Sequence, residues 1–421
     1  MKILFLLQDI PYPPTEGIRL KAFNLIRLLA LNNECHILSL GDGDQERAKL
    51  FEIAVPNIKV IGIVDSSASQ SYVAYYKIFN LIRALPPSFA TFRNVKFREL
   101  FEVAVRENKY DVIHYDIINM AQYYSMATNV PSVHSPNDAT SLSYARKSRQ
   151  ESRYLSVTRL RYWISGCLMR AFERKYYEKF TVVHVVSIVD QQYLKNLNSR
   201  INVVVAPLVV EERYFSVANS LQKSGGSCSI ITFVGDLAIQ GIVNGLIDFI
   251  DHAYNKILEN NSNVRFRVLG RNASPKVKKY LRSHSNIEYY TWVDDFVEFM
   301  KDSQIVIIPD KAGTGVKNRV LQAMAMGLPV VGTTCAFEGI EMENNVHGLI
   351  RSTPKEFCDA VLYLLGSESI QRQIGVAATL LVREKYSEDV VSEVYEKMYE
   401  RAKQIGRDNT LVLGQSPPIL N

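Results

Sequence analysis

KAGTGVKNRVLQAMAMGLPVVG, residues 311–332, sets two glycines and two cations directly before an apolar helix and ends that helix in Gly-Leu-Pro. Val316, Val320, Leu321, Ala323 and Met324 recur at the spacing that puts apolar side chains on one helix face, which predicts that this face is buried. Gly327 is placed to stop the helix, Pro329 cannot continue it, and PVVG reads as a short buried strand. Upstream, SQIVIIPD (303–310) supplies the preceding strand. The segment is therefore half of a β-α-β arrangement, with Gly313 and Gly315 at the carboxyl edge of a parallel sheet, where such sheets bind ligands.

Glycines at that edge allow backbone N–H groups to approach a ligand closely, and the first turn of a helix presents unpaired donors with partial positive charge. An anion suits the position. Lys317 and Arg319 bring cations to it, while Asn318, Arg319 and Gln322 share a polar face. A phosphate or diphosphate is the ligand these residue types favour. The pattern is not a Walker loop, because no Gly-Lys-Ser/Thr follows, and it lacks the third glycine of the dinucleotide fingerprint. A tight strand-to-helix turn with no ligand would also call for glycines here.

At 421 residues the chain is too long for one ordinary core, and two domains are expected. The five cysteines are scattered and form no C-x-x-C pair, which argues against a disulfide framework or a zinc site and favours a cytoplasmic setting. MKILFLLQDIPYPP has too short an apolar run for a signal peptide or membrane span and reads as a first buried strand. Net charge is +6, and residues 1–200 carry the excess, with 26 Lys and Arg against 18 Asp and Glu. Most of it falls in residues 145–180, where arginines interleave with Tyr, Trp, Leu and Phe. Helices with a basic face and an aromatic margin suit anionic lipid head groups, and an ordinary solvated basic surface fits the same pattern. No nucleic-acid-binding module accompanies the charge.

Both halves alternate Val/Ile/Leu-rich runs with helical patterns, the signature of parallel sheets covered by helices. KILFLL, CHILSL, IKVIGIV, YDVIHY, VPSVHS and FTVVHVVS form the first set; SIITFVG, NVRFRVLG, NIEYYTW, QIVIIPD, LPVVGT and HGLIRS form the second. The polar, glycine-containing stretch around 217–229 suits a linker. The expected boundaries are an amino-terminal Rossmann-like domain at 1–208, a hinge at 209–229, a second Rossmann-like domain at 230–385, a returning helix at 386–404 and a polar tail at 405–421. DGD at 42–44 has Asp-x-Asp spacing, but its glycine and its place after a strand make it a turn, so no metal is expected.

The order of these motifs resembles a retaining glycosyltransferase of the GT-B fold, family 4 type. PYPPTEGIRLKAFNLIRLLA, YDVIHYD and VPSVHSPNDATSLSYAR resemble the amino half of that family. FVGDL, FRVLG, YYTWVDD and VIIPDKAGTGVKNRVLQAMAMGLPVVGTTCAFEGI follow in the order in which the family builds its nucleotide-sugar site. The resemblance implies α/β architecture with two parallel-sheet domains facing across a cleft. The nucleoside diphosphate sugar, a substrate rather than a cofactor, would be held by the carboxyl-terminal domain, and the acceptor would be a glycan or lipid-linked molecule. It implies a hexosyltransferase in bacterial surface polysaccharide synthesis, cytoplasmic or at the inner membrane face.

Residue by residue, the resemblance assigns Lys317 and Arg319 to the diphosphate, with Gly313, Thr314, Gly315 and Gln322 around the donor. Gly235 and Gly17 lie in the other glycine loops that face it. His134 matches the histidine that reaches the donor sugar from the amino domain. Arg19 and Asp138 fall on the acceptor side, Asp138 also being suited to cap a helix. The family's acidic pair falls here on Thr314 and Gln322, and Asp236 stands where relatives place a cation. A non-catalytic GT-B protein that binds a nucleotide sugar or supports a partner transferase is the alternative these departures favour.

Overall fold

The computed structural model describes residues 1–15, 17–41, 44–66, 69–150, 156–218, 228–313 and 315–414. Thr314, the Asp-Gly of the 42–44 turn and most of the expected linker lie outside the described residues. Two compact units result, one from Met1–Pro207 with Val391–Asn421 and one from Leu208–Val390.

The first unit is built on a seven-stranded, wholly parallel sheet. Its strands are β1 (Lys2–Leu7), β2 (Glu34–Gly41), β3 (Ile58–Asp65), β4 (Val112–Asp116), β5 (Ser132–Asn137), β6 (Val182–Val185) and β7 (Val203–Val205), in spatial order β3-β2-β1-β4-β5-β6-β7. Strands β1 and β4 are buried nearly throughout, which is why they read as continuous apolar runs rather than alternating ones. The helix Gly17–Leu29 follows β1 and buries Ala22, Leu25, Ile26 and Leu29. The carboxyl-terminal helix, Glu388–Gly414, continues past residue 404 into the stretch read as a tail. In the first unit it contributes the buried Tyr395 and Tyr399, whose hydroxyls meet Pro207 O at 3.1 Å and His114 Nδ1 at 2.6 Å. Gly406 lets it lie against Pro131, since a Cβ there would come within 2.1 Å of the proline ring.

The second unit has six parallel strands: β8 (Ser229–Asp236), β9 (Val264–Arg271), β10 (Ile287–Tyr290), β11 (Ile305–Ile308), β12 (Val330–Gly332) and β13 (Leu349–Ile350), ordered β10-β9-β8-β11-β12-β13. Each sheet reverses strand order once, between β1 and β4 and between β8 and β11, so each has a switch point at its carboxyl edge. Within the second unit the helix Glu368–Tyr386 packs on the helix Asn318–Ala325, and Gly375 makes this possible by lying against the Gly327 carbonyl.

Candidate nucleotide-sugar site

The glycine-rich loop leaves β11 beside the switch point of the second sheet. Gly313 has φ +155° and Gly315 +69°, conformations that favour glycine over any L side chain. Two further glycines, Gly241 and Gly245 on the helix Gln240–Phe249, hold the start of this loop in place. A Cβ on Gly245 would fall 1.8 Å from Pro309 O, and one on Gly241 would fall 2.2 Å from Ala312 Cβ. Lys311 N donates to Gly241 O at 3.2 Å, and Thr333 Oγ1 donates to Asp310 O at 2.6 Å. The backbone of 309–312 is thus clamped on both sides. Lys317 is the N-cap of the helix Asn318–Ala325, and no side chain caps it, so the first-turn N–H groups keep their affinity for an anion. The apolar face forms with Val320, Leu321, Ala323 and Met324 wholly buried, while Val316, expected on the same face, precedes the helix and is half-buried.

The side chains are arranged less freely than the sequence suggests. Lys317 Nζ donates to Gly315 O at 2.6 Å, so its ammonium lies over the loop it was expected to serve. Arg319 forms a close ion pair with Asp310, whose side chain is 1% exposed. The guanidinium expected at the diphosphate thus holds a buried carboxylate through its Nη2. Burial lifts the Asp310 carboxyl above its ordinary value, against the pull of Arg319 and Lys317. Asp310 Oδ1 and Arg319 Nε are both buried without a hydrogen-bond partner among the described residues. Gln322 Nε2 donates to Tyr214 Oη at 2.9 Å, and Tyr214 also accepts from Arg213 Nη2 at 3.1 Å. The amide expected to reach a ribose is therefore tied to the helix Glu212–Ala218.

Gly235, on β8 next to β11, is a packing glycine. A Cβ there would meet the Phe233 ring at 2.7 Å and Ile242 Cγ2 at 3.0 Å. Asp236 accepts from Ala238 N at 3.0 Å and Asn272 Nδ2 at 3.2 Å and sits 3.5 Å from Arg271 Nε, so its charge is paired.

The first unit gathers the remaining expected residues. Gly17 opens the Gly17–Leu29 helix and is exposed. Arg19 Nε and Nη2 donate to Asp9 Oδ2 at 2.9 and 2.5 Å, and Arg47 Nη2 reaches the same oxygen at 3.3 Å. Asp138 is half-buried after β5. His134, expected to reach the donor sugar, lies in the core of the first unit. It is 0% exposed, its Nδ1 lies 3.1 Å from Tyr115 O, and its ring packs between Tyr177 and Phe180. Burial drives its pKa down to about 3, so it sits in the core as a neutral residue.

A polar cluster that the sequence reading did not single out lies at the carboxyl edge of this sheet. Lys21, 6% exposed, donates to Ser135 Oγ at 2.5 Å and to Asn137 Oδ1, and its ammonium is 3.9 Å from Asp116 Oδ1. Ser135 Oγ in turn lies 2.9 Å from His184 Nδ1. Burial lowers the Lys21 pKa, against Asp116 and Asp138. Ile117 and Asn137 follow these groups with φ of +51° and +75°, strained values for a β-branched residue above all. A signal was present: Lys21, Asn24, Leu25 and Leu28 share the spacing of one helix face, so a cation stands inside an apolar stripe.

Residues 228–367, inside the second unit, match the family model described as Glycosyl transferases group 1. No curated protein matches the chain. Among solved structures, it is similar to sucrose-phosphate synthase from Thermosynechococcus elongatus, at 14% identity and TM-score 0.67, over 95% of this chain and 99% of that one. It is also similar to a glycosyltransferase from Rickettsia africae, at 14% identity and TM-score 0.66, over 95% and 98%. Anabaena HepE in complex with UDP and glucose is a third, at 13% identity and TM-score 0.63, over 95% and 99%.

The fold is GT-B.

In this GT-B chain the match to the family model contains the whole loop from β11 through the helix Asn318–Ala325, together with Asp310, Arg319 and Gln322.

Proposed function

We propose that the chain is a glycosyltransferase that moves a sugar from a nucleoside diphosphate donor to a glycan or lipid-linked acceptor with retention of anomeric configuration. The observation that carries this reading is the glycine-rich loop that follows the clamped backbone of 309–312. It offers left-handed glycines, an uncapped helix start and an ammonium at the carboxyl edge of a parallel sheet, within the segment that matches a glycosyl transferase family. HepE, with 14% identity in this complex, was solved with UDP-glucose, which supports a nucleotide sugar as the donor class.

In the proposed reaction the bond from the anomeric carbon to the diphosphate oxygen breaks and its electron pair leaves with the diphosphate. Lys317 and the first-turn N–H groups stabilise that growing charge. The acceptor oxygen attacks from the same face and passes its proton to the departing phosphate oxygen, so no buried histidine is needed as a base. Bacterial surface polysaccharide synthesis is the setting that the resemblance suggests, and the basic, aromatic 145–180 stretch favours the inner membrane face. No helix among the described residues is long and apolar enough to cross a membrane.

A second reading is favoured by the two internal pairings, Arg319 with Asp310 and Gln322 with Tyr214. They suit a GT-B protein that binds a nucleotide sugar without turning it over. Calorimetric titration with UDP-, GDP-, ADP- and dTDP-sugars, followed by assay for released nucleoside diphosphate, separates the two. Binding with slow donor hydrolysis supports the enzyme. Binding with none supports the second reading, and no binding of any donor defeats both.

A further inference from the structure

The helix Gln70–Ile82 of the first unit, QSYVAYYKIFNLI, turns its apolar side outward. Of its residues Asn80 alone is buried, at 3% exposure, and its Nδ2 donates to Pro86 O at 3.4 Å. Tyr75, Ile78, Leu81 and Ile82 are 62%, 61%, 46% and 80% exposed. Their spacing of three and four residues puts them on one face, and Asn80, two positions from both Ile78 and Ile82, points to the opposite side. The helix is nevertheless well made. Ser69 caps its start by accepting from Tyr72 N at 3.3 Å, and Ala84, at φ +53°, turns the chain just after its end. The chain then doubles back as the short helix Pro87–Phe92, on which the longer one packs. The Tyr76 ring lies 4.6 Å from Tyr72 and 5.8 Å from Phe79, centroid to centroid, which stiffens one flank. Arg83 Cζ stands 4.6 Å from the Phe79 ring centroid and Arg93 Cζ 4.5 Å from that of Tyr76, while Lys77 is exposed. Residues 70–98 hold five Lys and Arg and no Asp or Glu.

A contiguous stripe of large apolar side chains is costly in water and marks a surface that meets something else. A second copy of the chain docked by two-fold symmetry would bring Lys77, Arg83 and Arg93 toward their own counterparts, which like charge opposes. An anionic bilayer suits every feature of the helix: branched apolar groups enter the acyl boundary, tyrosines sit at head-group level, and cations meet lipid phosphates. We infer that the outer face of the helix Gln70–Ile82 docks the first unit on an anionic lipid surface, with Ile78, Leu81 and Ile82 inserted and Lys77, Arg83 and Arg93 among the head groups. This names a docking surface, outside the 145–180 stretch, for the membrane-face setting proposed above, and it rests on that setting. The helix belongs to the first unit and the donor loop to the second, so docking and donor binding can fail separately.

The full-length protein is co-sedimented with vesicles of phosphatidylglycerol mixed into phosphatidylcholine and with vesicles of phosphatidylcholine alone, and its mass without lipid is measured by sedimentation velocity. Binding to the anionic vesicles is expected to be about tenfold or more tighter than to the neutral ones and to weaken as salt is raised. Ile78→Glu with Ile82→Glu should weaken it by about tenfold or more, because carboxylates replace apolar groups at the lipid boundary, while leaving the melting temperature and UDP-sugar binding unchanged. Lys77→Gln with Arg83→Gln should weaken it by a similar factor, at roughly fivefold for each cation lost. Unaltered vesicle binding by the Ile78→Glu, Ile82→Glu protein would overturn the inference. So would equal affinity for neutral vesicles, loss of binding only on Leu160→Ser with Trp163→Ser in the helix Val157–Tyr176, or a lipid-free dimer that the two glutamates dissociate. If anionic vesicles bind as expected but no nucleotide sugar does, the docking surface stands and the transferase reading falls.

Discussion

Arg319 and Lys317 stand two residues apart, and their surroundings give them different work. Arg319 is paired with a carboxylate that is itself almost wholly buried, so removing either partner strands a charge away from water. Arg319→Ala is expected to destabilise the protein by about 3–5 kcal/mol, and the pair Arg319→Met with Asp310→Leu to recover most of that loss. Calorimetric melting of the single and double variants checks this; an additive double variant would show that the pair is not coupled. Lys317 donates to its own loop at Gly315 O and also acts on the Asp310 carboxyl through its charge. Lys317→Ala should leave melting nearly unchanged and cost about 1.5–3 kcal/mol of nucleoside diphosphate binding. A calorimetric titration with UDP that shows unaltered affinity would exclude Lys317 from the phosphate contact.

The elements around the loop owe their spacing to missing side chains. The helix Gln240–Phe249 approaches β11 so closely that Gly245→Ala would drive a methyl group into Pro309 O. The expected cost is at or above the upper end of the 1–3 kcal/mol typical of overpacking, and UDP affinity should fall as well because the loop shifts with its neighbour. A variant that melts and binds like the parent would show that the contact relaxes freely. Much of this element structure was legible beforehand. Strands β8, β9 and β11 announce themselves as Val/Ile/Leu/Phe runs, and the 318–325 helix as an apolar period ended by Gly327. What the sequence could not convey was direction. In a sheet covered on both faces every strand position is buried, so no alternation separates a histidine aimed at a ligand from one aimed into the core, and His134 proved to be the latter. The pairing of Arg319 with Asp310 is likewise set by where a loop folds back. The helical spacing on which the reading relied carries no information about it.

Across the first unit, buried titratable groups give stability a defined pH dependence. Burial holds His134 at about 3 and lowers His114 and His184 below their ordinary 6.5. Between those limits the unfolded chain takes up protons that the folded one refuses, so stability is lost as pH falls from 6.5 toward 3. Glu173 acts on the other side. Burial raises it from 4.5 to about 7, so its contribution is complete below 4.5 and disappears as pH rises through 7. Glu173→Gln should therefore flatten the decline of the melting temperature between about pH 5 and pH 8 while leaving the acid limb intact. Calorimetric scans across that range decide it; an unchanged upper limb would mean that Glu173 is ionised in the folded protein.

The last helix carries a practical lesson for anyone wishing to dissect the molecule. Tyr395, Tyr399 and Lys403 serve a sheet whose strands were all laid down before residue 206, so that body is sealed only after the second unit has been synthesised. A polypeptide stopped at Pro207 would leave His114 and its neighbours open to water and should be prone to clumping. Supplying residues 388–414 as a separate peptide is expected to restore its solubility.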